Sequence, residues 1–135
     1  MIARQTLAAA LLATIVQAAP VQRARVSITI EMPRQNVKVH VHHDVSGKVS
    51  DRAAKVWVVV QPRENADCWV QNPIVVNGDG TWRVSAQFGE ERPEHKGKAY
   101  EIRALANPKG SVGVGKTSCW PEAEVISDPV YVVRE

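Results

Sequence analysis

Four groups of residues in this 135-residue chain have types and spacings that could do chemistry. The most specific spelling is Gly110-Ser-Val-Gly-Val-Gly115-Lys116-Thr117, which matches G-x-x-x-x-G-K-[ST]. In a phosphate-binding loop the glycine-rich backbone wraps the phosphates, the lysine neutralises them, and a helix points its N-terminus at them. Here Ser118-Cys119-Trp120-Pro121 follows, and a proline so close to the lysine opposes that helix. The segment is expected to be a flexible strand connection, with no nucleotide bound.

The second group is His40, His42 and Asp44, at i, i+2 and i+4. On one strand these share a face at about 6.5–7 Å spacing, near enough for two imidazoles to hold Cu or Zn. The same residues also suit solvated positions alternating with the buried-type Val37, Val39 and Val41. His43 would point the other way, and a metal would need a further ligand beyond these. No cofactor is otherwise expected.

The third group is the tryptophans, Trp57, Trp69, Trp82 and Trp120, against a single Phe. Exposed indoles stack on sugars and anchor protein interfaces. Trp82 shares the apolar phase of Val84, Ala86 and Phe88 and is expected in the core. Trp57, Trp69 and Trp120 are the ligand-binding candidates. Trp69 follows Cys68 and Trp120 follows Cys119, so a Cys68–Cys119 bridge is expected to bring the two rings together, as an aromatic patch or as packing over the sulfurs.

The fourth group is acidic. Glu90, Glu91 and Glu94 share a segment with Arg92, His95 and Lys96, the composition of a solvated loop. Glycoside chemistry would need two carboxylates facing across a cleft, and no serine has the nucleophile-elbow spelling. With both cysteines bridged no thiol remains as a nucleophile. The chain is expected not to be an enzyme.

The compartment follows from the other end of the sequence. Residues 1–18 place Arg4 before an uncharged apolar run from Thr6 to Val16, with Ala18 and Ala19 after it. This is the three-part pattern of a secretory signal peptide cut after Ala18. The run is shorter than the ~20 residues that span a bilayer, so no transmembrane segment is expected once it is removed. Two cysteines in an exported chain point to one disulfide, and the localisation expected is secreted or periplasmic. A formal charge of +3 with scattered basic residues gives no polyanion-binding surface, so no nucleic acid is expected as a partner.

The elements that must position these groups alternate with period two. Val26, Ile28, Ile30 and Met32 interleave with Ser27, Thr29 and Glu31, then Val37, Val39 and Val41 with Lys38, His40 and His42. Such alternation is a strand with one buried face. Ser46-Gly47 reads as a bend before a polar connection. Lys55–Gln61 is apolar on both phases, as in a central strand covered on both sides or one whose Trp57 and Val59 face something outside the core. Asn77-Gly78-Asp79-Gly80 between Ile74–Val76 and Thr81–Phe88 is a hairpin signal. Tyr100, Ile102, Ala104 and Ala106 form another alternating run, Asn107–Gly115 a loop, and Val130–Val133 a last strand. With 44% hydrophobic residues and no helical period, about seven short strands on residues 19–135 predict a single antiparallel β-sandwich domain.

Trp57 on a central strand, GDGTW at Gly78–Trp82 and YEIRALANPKG at Tyr100–Gly110 together resemble a bacterial immunoglobulin-like or fibronectin type III-like domain. The resemblance implies that Tyr100 makes the tyrosine corner, and that loops on a rigid sandwich serve binding or structure. It departs from the antibody type, whose bridge joins the second and sixth strands. The expected function is an exported, non-catalytic binding or structural module recognising an envelope or extracellular protein or a glycan. The alternatives are a periplasmic Cu/Zn-binding protein using His40 and His42, and an inhibitor of an envelope-degrading hydrolase.

Overall fold

The computed structural model describes residues 25–135; the expected signal peptide, residues 1–18, lies outside the described residues. The described chain is all-β, apart from a 3₁₀ turn at Pro93–His95. Its strands are β1 (Ile28–Met32), β2 (Lys38–Val39), β3 (His42–Val49), β4 (Val56–Pro62), β5 (Asp67–Val70), β6 (Thr81–Gln87), β7 (Ala99–Pro108), β8 (Gly115–Ser118), β9 (Ala123–Ile126) and β10 (Val130–Arg134). They form a three-stranded sheet, β1-β3-β6, and a seven-stranded sheet, β2-β10-β7-β4-β5-β8, with β9 also paired to β7. Pairing is antiparallel except between β2 and β10, where the sequence reading had an antiparallel sandwich throughout.

The two sheets enclose one main core. Val45, Trp82 and Val84 come from the small sheet, Phe88 from the residue just after β6, and Val56, Val58, Val60, Ile102, Ala104 and Val132 from the large sheet. Each set follows the period-two phase of its strand, because alternate side chains share a face. The first of the two readings of Lys55–Gln61 holds. The inner valines of β4 enter this core, while Trp57 and Val59 enter a second cluster on the outer face with Cys68, Val70, Leu105 and Trp120.

That outer cluster exists because of a crossing. After β8 the chain turns at Cys119, bonded to Cys68, and Trp120 lies over Arg103 of β7. Glu122 then accepts from the Lys109 amide at 2.9 Å, and β9 begins beside Pro108. Residues 119–122 thus pass diagonally over the outer face and cover it. β9 and β10 run along the same edge of β7. Ser127 patches the break between them: its Oγ accepts from the Ala104 amide at 2.9 Å, and its own amide donates to the Ala104 carbonyl at 2.9 Å.

Four local expectations are corrected. The Val37–Val41 strand is not one strand: β2 pairs with β10 in the large sheet, and β3 pairs with β1 and β6 in the small one. The alternation continues through the crossing, so it could not reveal the change of hydrogen-bonding partner. Gly47 is not a bend but lies inside β3, paired with Ile30 and Trp82. A Cβ there would strike the Thr29 carbonyl oxygen and come within 2.6 Å of the Trp82 ring, so the glycine serves close packing rather than a turn. Finally, Gly115–Ser118 is a strand, and Ile74–Val76 carries no strand although the Asn77–Thr81 turn forms, with the Asn77 amide donating to the Thr81 carbonyl at 2.9 Å.

Candidate functional site

The small sheet has three strands and the large one seven, so the inner face of β5 is left without a covering strand. A cleft of about 630 Å³ opens there. The end of β4 and its turn contribute Pro62, Arg63, Glu64 and Asn65, and β5 with the residues after it contributes Trp69, Gln71 and Asn72. The opposite wall is Ser85 and Gln87 of β6, and Glu90, His95, Lys98 and Tyr100 close one end.

Trp69 is the ring this arrangement exposes. It pairs with Val60, whose side chain faces the main core, so the indole emerges on the inner face just past the small sheet. It is 42% exposed, and Val114, also on the cleft, is 58% exposed. Buried Gln71 ties the two walls. Its Oε1 accepts from the Gln87 amide of β6 at 2.8 Å, and its Nε2 donates to the Trp69 carbonyl at 3.0 Å.

The Gly89–Lys98 wall is held just as specifically. The buried Arg134 guanidinium donates to the Phe88 carbonyl at 2.7 Å and to the Glu90 carbonyl at 3.1 Å. The Glu90 amide donates to His95 Nδ1 at 2.7 Å. Gly89 has φ +73°, and a Cβ there would come within 2.6 Å of both His95 Nδ1 and the Tyr100 hydroxyl. Glycine is needed on both counts. Tyr100 packs edge-on against Phe88, and burial pushes its phenol pKa upward, with Arg134 opposing and Glu64 adding to the shift.

The charges around the cleft are paired. Arg63 meets Glu101 at 2.7 Å, Lys98 meets Glu64 at 3.5 Å, and Glu90 meets Arg92 at 2.8 Å. Glu101 also reaches Arg103 at 2.8 Å on the outer face. With Arg63 over Tyr131 at 5.0 Å and Arg103 over Trp120 at 4.6 Å, this builds a ladder in the order Tyr131, Arg63, Glu101, Arg103, Trp120.

The candidate residues read from the sequence separate. Cys68 and Cys119 are bonded, yet Trp69 and Trp120 are not brought together. Cys68 faces the outer cluster, so its neighbour Trp69 must face the opposite side. Trp57 sits half-buried in the outer cluster with Trp120. His40 lies outside β3, with Nδ1 3.1 Å from a Glu135 carboxylate oxygen and its ring 6.2 Å from that of His43. His42 and Asp44 lie on the face of β3 turned away from the core, where His42 also lines the cleft beside Gln87 and Asp44 lies 3.8 Å from Arg83. The expected common face of His40, His42 and Asp44 is therefore not formed, because the strand changes sheet between His40 and His42. Among the described residues no group of three or more His, Cys, Asp or Glu is gathered as a metal site. In the glycine-rich spelling Lys116 lies in β8 and pairs with Asp67 at 3.2 Å.

The amides of the cleft, Asn65, Gln71, Asn72 and Gln87, were missed at the sequence level. They carry no pattern in one dimension, since they come from three separate segments. Comparison with family models, with curated proteins and with solved structures found no match to this chain.

Proposed function

We propose that this protein is an exported, non-catalytic recognition module whose cleft binds a glycan against Trp69. The observation that carries the reading is the exposed indole on the wall of a concave site otherwise rimmed mainly by amides, two hydroxyls, two histidines and paired charges. Sugar rings offer an apolar C–H face for an indole and hydroxyls for amide groups, and a largely pre-formed pocket with a few polar groups is the usual form of a small-ligand site.

The scaffold in this reading is immunoglobulin-like. β1, β3 and β6 correspond to strands A, B and E, and β10, β7, β4 and β5 to G, F, C and C′, the orders found in such sandwiches. Export to the periplasm or outside the cell is supported by the residue pattern of positions 1–18 and by the disulfide, a bond of oxidising compartments.

The test is a titration of the protein's tryptophan emission with a panel of soluble polysaccharides, on the wild type and on Trp69→Ala. The reading expects saturable change with at least one polysaccharide, lost in the variant. A panel without response, or a response that Trp69→Ala leaves intact, overturns it.

A second reading rests on the ladder of the outer face. Its alternating Arg and aromatic side chains are the residue types that dominate protein interfaces, which supports an envelope protein as partner on that face. Tyr131→Ala, at an exposed ladder residue outside the cleft lining, would weaken such a complex without changing the polysaccharide response of Trp69.

A further inference from the structure

Resting on the glycan reading of the Trp69 cleft, we infer that its ligand is a neutral saccharide rather than an acidic one. Recognition of a uronate or a sulfated sugar needs an unpaired cation, best a guanidinium free to form two parallel bonds. The cleft has two strong cations, and both are engaged. Arg63 Nη1 donates to the nearly buried Glu101 carboxylate at 2.7 Å and its guanidinium lies over Tyr131. Lys98 stands 3.5 Å from Glu64.

Turning Arg63 toward a ligand would take a partner from a nearly buried carboxylate, whereas Lys98 and Glu64 form only a surface pair, with Glu64 largely exposed. For Glu101, whose side chain is 4% exposed, that means leaving a nearly buried charge with Arg103 as its remaining partner, an unfavourable exchange. Glu64 and Glu90 also line the cleft, each beside its own cation, so these pairs add no net positive charge to it. The Nδ1 of His95 is already taken up as the acceptor for the Glu90 amide at 2.7 Å.

Apart from His42, which lines the same wall as Gln87, the groups that remain are uncharged. The Asn72 amide and the Ser85 hydroxyl face the cleft from its two walls, and the Tyr100 hydroxyl sits at its back near Gly89. These match sugar hydroxyls in donor and acceptor capacity. A volume of about 630 Å³ falls within the about 300–1,000 Å³ of small-ligand sites.

The experiment is calorimetric titration of the disulfide-bonded protein with hexasaccharides of both kinds. The neutral probes are maltohexaose, cellohexaose, laminarihexaose and chitohexaose. The acidic ones are hexagalacturonate and a hyaluronan hexasaccharide. The inference expects at least one neutral probe to bind, each acidic probe to bind at least tenfold more weakly, and the neutral affinity to be unchanged between 0.05 and 0.5 M salt (about the range over which exposed ion pairs are screened). Trp69→Ala should weaken the neutral probe tenfold or more, and Asn72→Ala, at an exposed site that does not support the fold, by a smaller factor.

Tighter binding of an acidic probe, falling with salt, would overturn the neutral assignment while leaving the glycan reading intact. Failure of all six probes to bind would overturn both. Binding of a neutral probe that neither variant weakens would place the site elsewhere and overturn the inference.

Discussion

Cys68 and Trp69 are consecutive in β5 and face opposite sides of the large sheet, the sulfur toward the outer cluster and the indole toward the cleft. The disulfide therefore anchors the crossing chain on one side while the Trp69 indole stands on the other. The bridge spans 51 positions, with the Cα atoms 5.0 Å apart. Replacing both cysteines by serine should cost about 2–4 kcal/mol, by the loop-entropy argument. It should also loosen residues 119–122 and red-shift the emission of Trp120. Urea denaturation and the emission maximum check this. Unchanged stability would show that the outer cluster holds without its bridge.

Gly47 and Trp82 face each other across β3 and β6, and the ring occupies the space a side chain would need. Gly47→Ala also brings its methyl onto the Thr29 carbonyl of β1. Overpacking of this kind costs about 1–3 kcal/mol. Amide exchange should show β1 released ahead of the rest of the small sheet. Wild-type protection of β1 in the variant would contradict the contact.

Glu101 joins two guanidinium groups across the outer face. Glu101→Leu leaves Arg63 and Arg103 without a shared counter-charge. Both arginines retain solvent access, with side chains 48% and 30% exposed, so the expected loss is about 1–3 kcal/mol rather than the larger cost of a fully buried broken pair. Chemical denaturation measures it. A more stable variant would mean that desolvation of Glu101 outweighs its two bonds.

Tyr100 sets an alkaline limit. Burial raises its phenol pKa above the ordinary value of 10.0, so folding favours the neutral hydroxyl. The corresponding stability is fully present below pH about 10 and is lost as pH rises through the raised folded value. Tyr100→Phe keeps the ring against Phe88 and should reduce the fall in melting temperature between pH 9.5 and 11.5, measured calorimetrically on both proteins. Parallel curves would remove Tyr100 as the cause.

Asp79 acts at the acid end. Its carboxylate accepts from the Thr81 hydroxyl at 2.6 Å and from the Thr81 amide at 3.0 Å. The side-chain bond is the leading cause that lowers its pKa from 3.8. The turn gains stability above that ordinary value and loses it as pH falls through the lowered one. Asp79→Asn should therefore flatten the acid side of the stability profile, and equal acid sensitivity in both proteins would contradict the assignment.

Much of the scaffold was legible along the chain. Alternation in Thr81–Gln87 reports which side chains are buried, because a strand's pleat converts sequence parity into a face; in Ile28–Met32 it fails at the exposed Met32, and in Tyr100–Ala106 the other phase is buried as well, at Glu101 and Leu105, under the outer cluster. The cysteine pair and the turn at Asn77–Gly80 were legible for equally local reasons. Elements as short as β2, β8 and β9 have too few residues to show a period, and their pairing depends on partners far away in sequence.

What the sequence by itself determined was therefore parity: which residues are inward, which outward, and that Trp82 belongs to the core while two cysteines can bridge. Parity cannot say which sheet a strand joins, so the division of Val37–Val41 between two sheets, and with it the separation of His40 from His42, was decided only in three dimensions. The same holds for the cleft. The inner face of β5 carries Trp69 whatever surrounds it, but it is open because three strands do not cover seven. Relative sheet width is a property of long-range hydrogen bonding that no local pattern encodes.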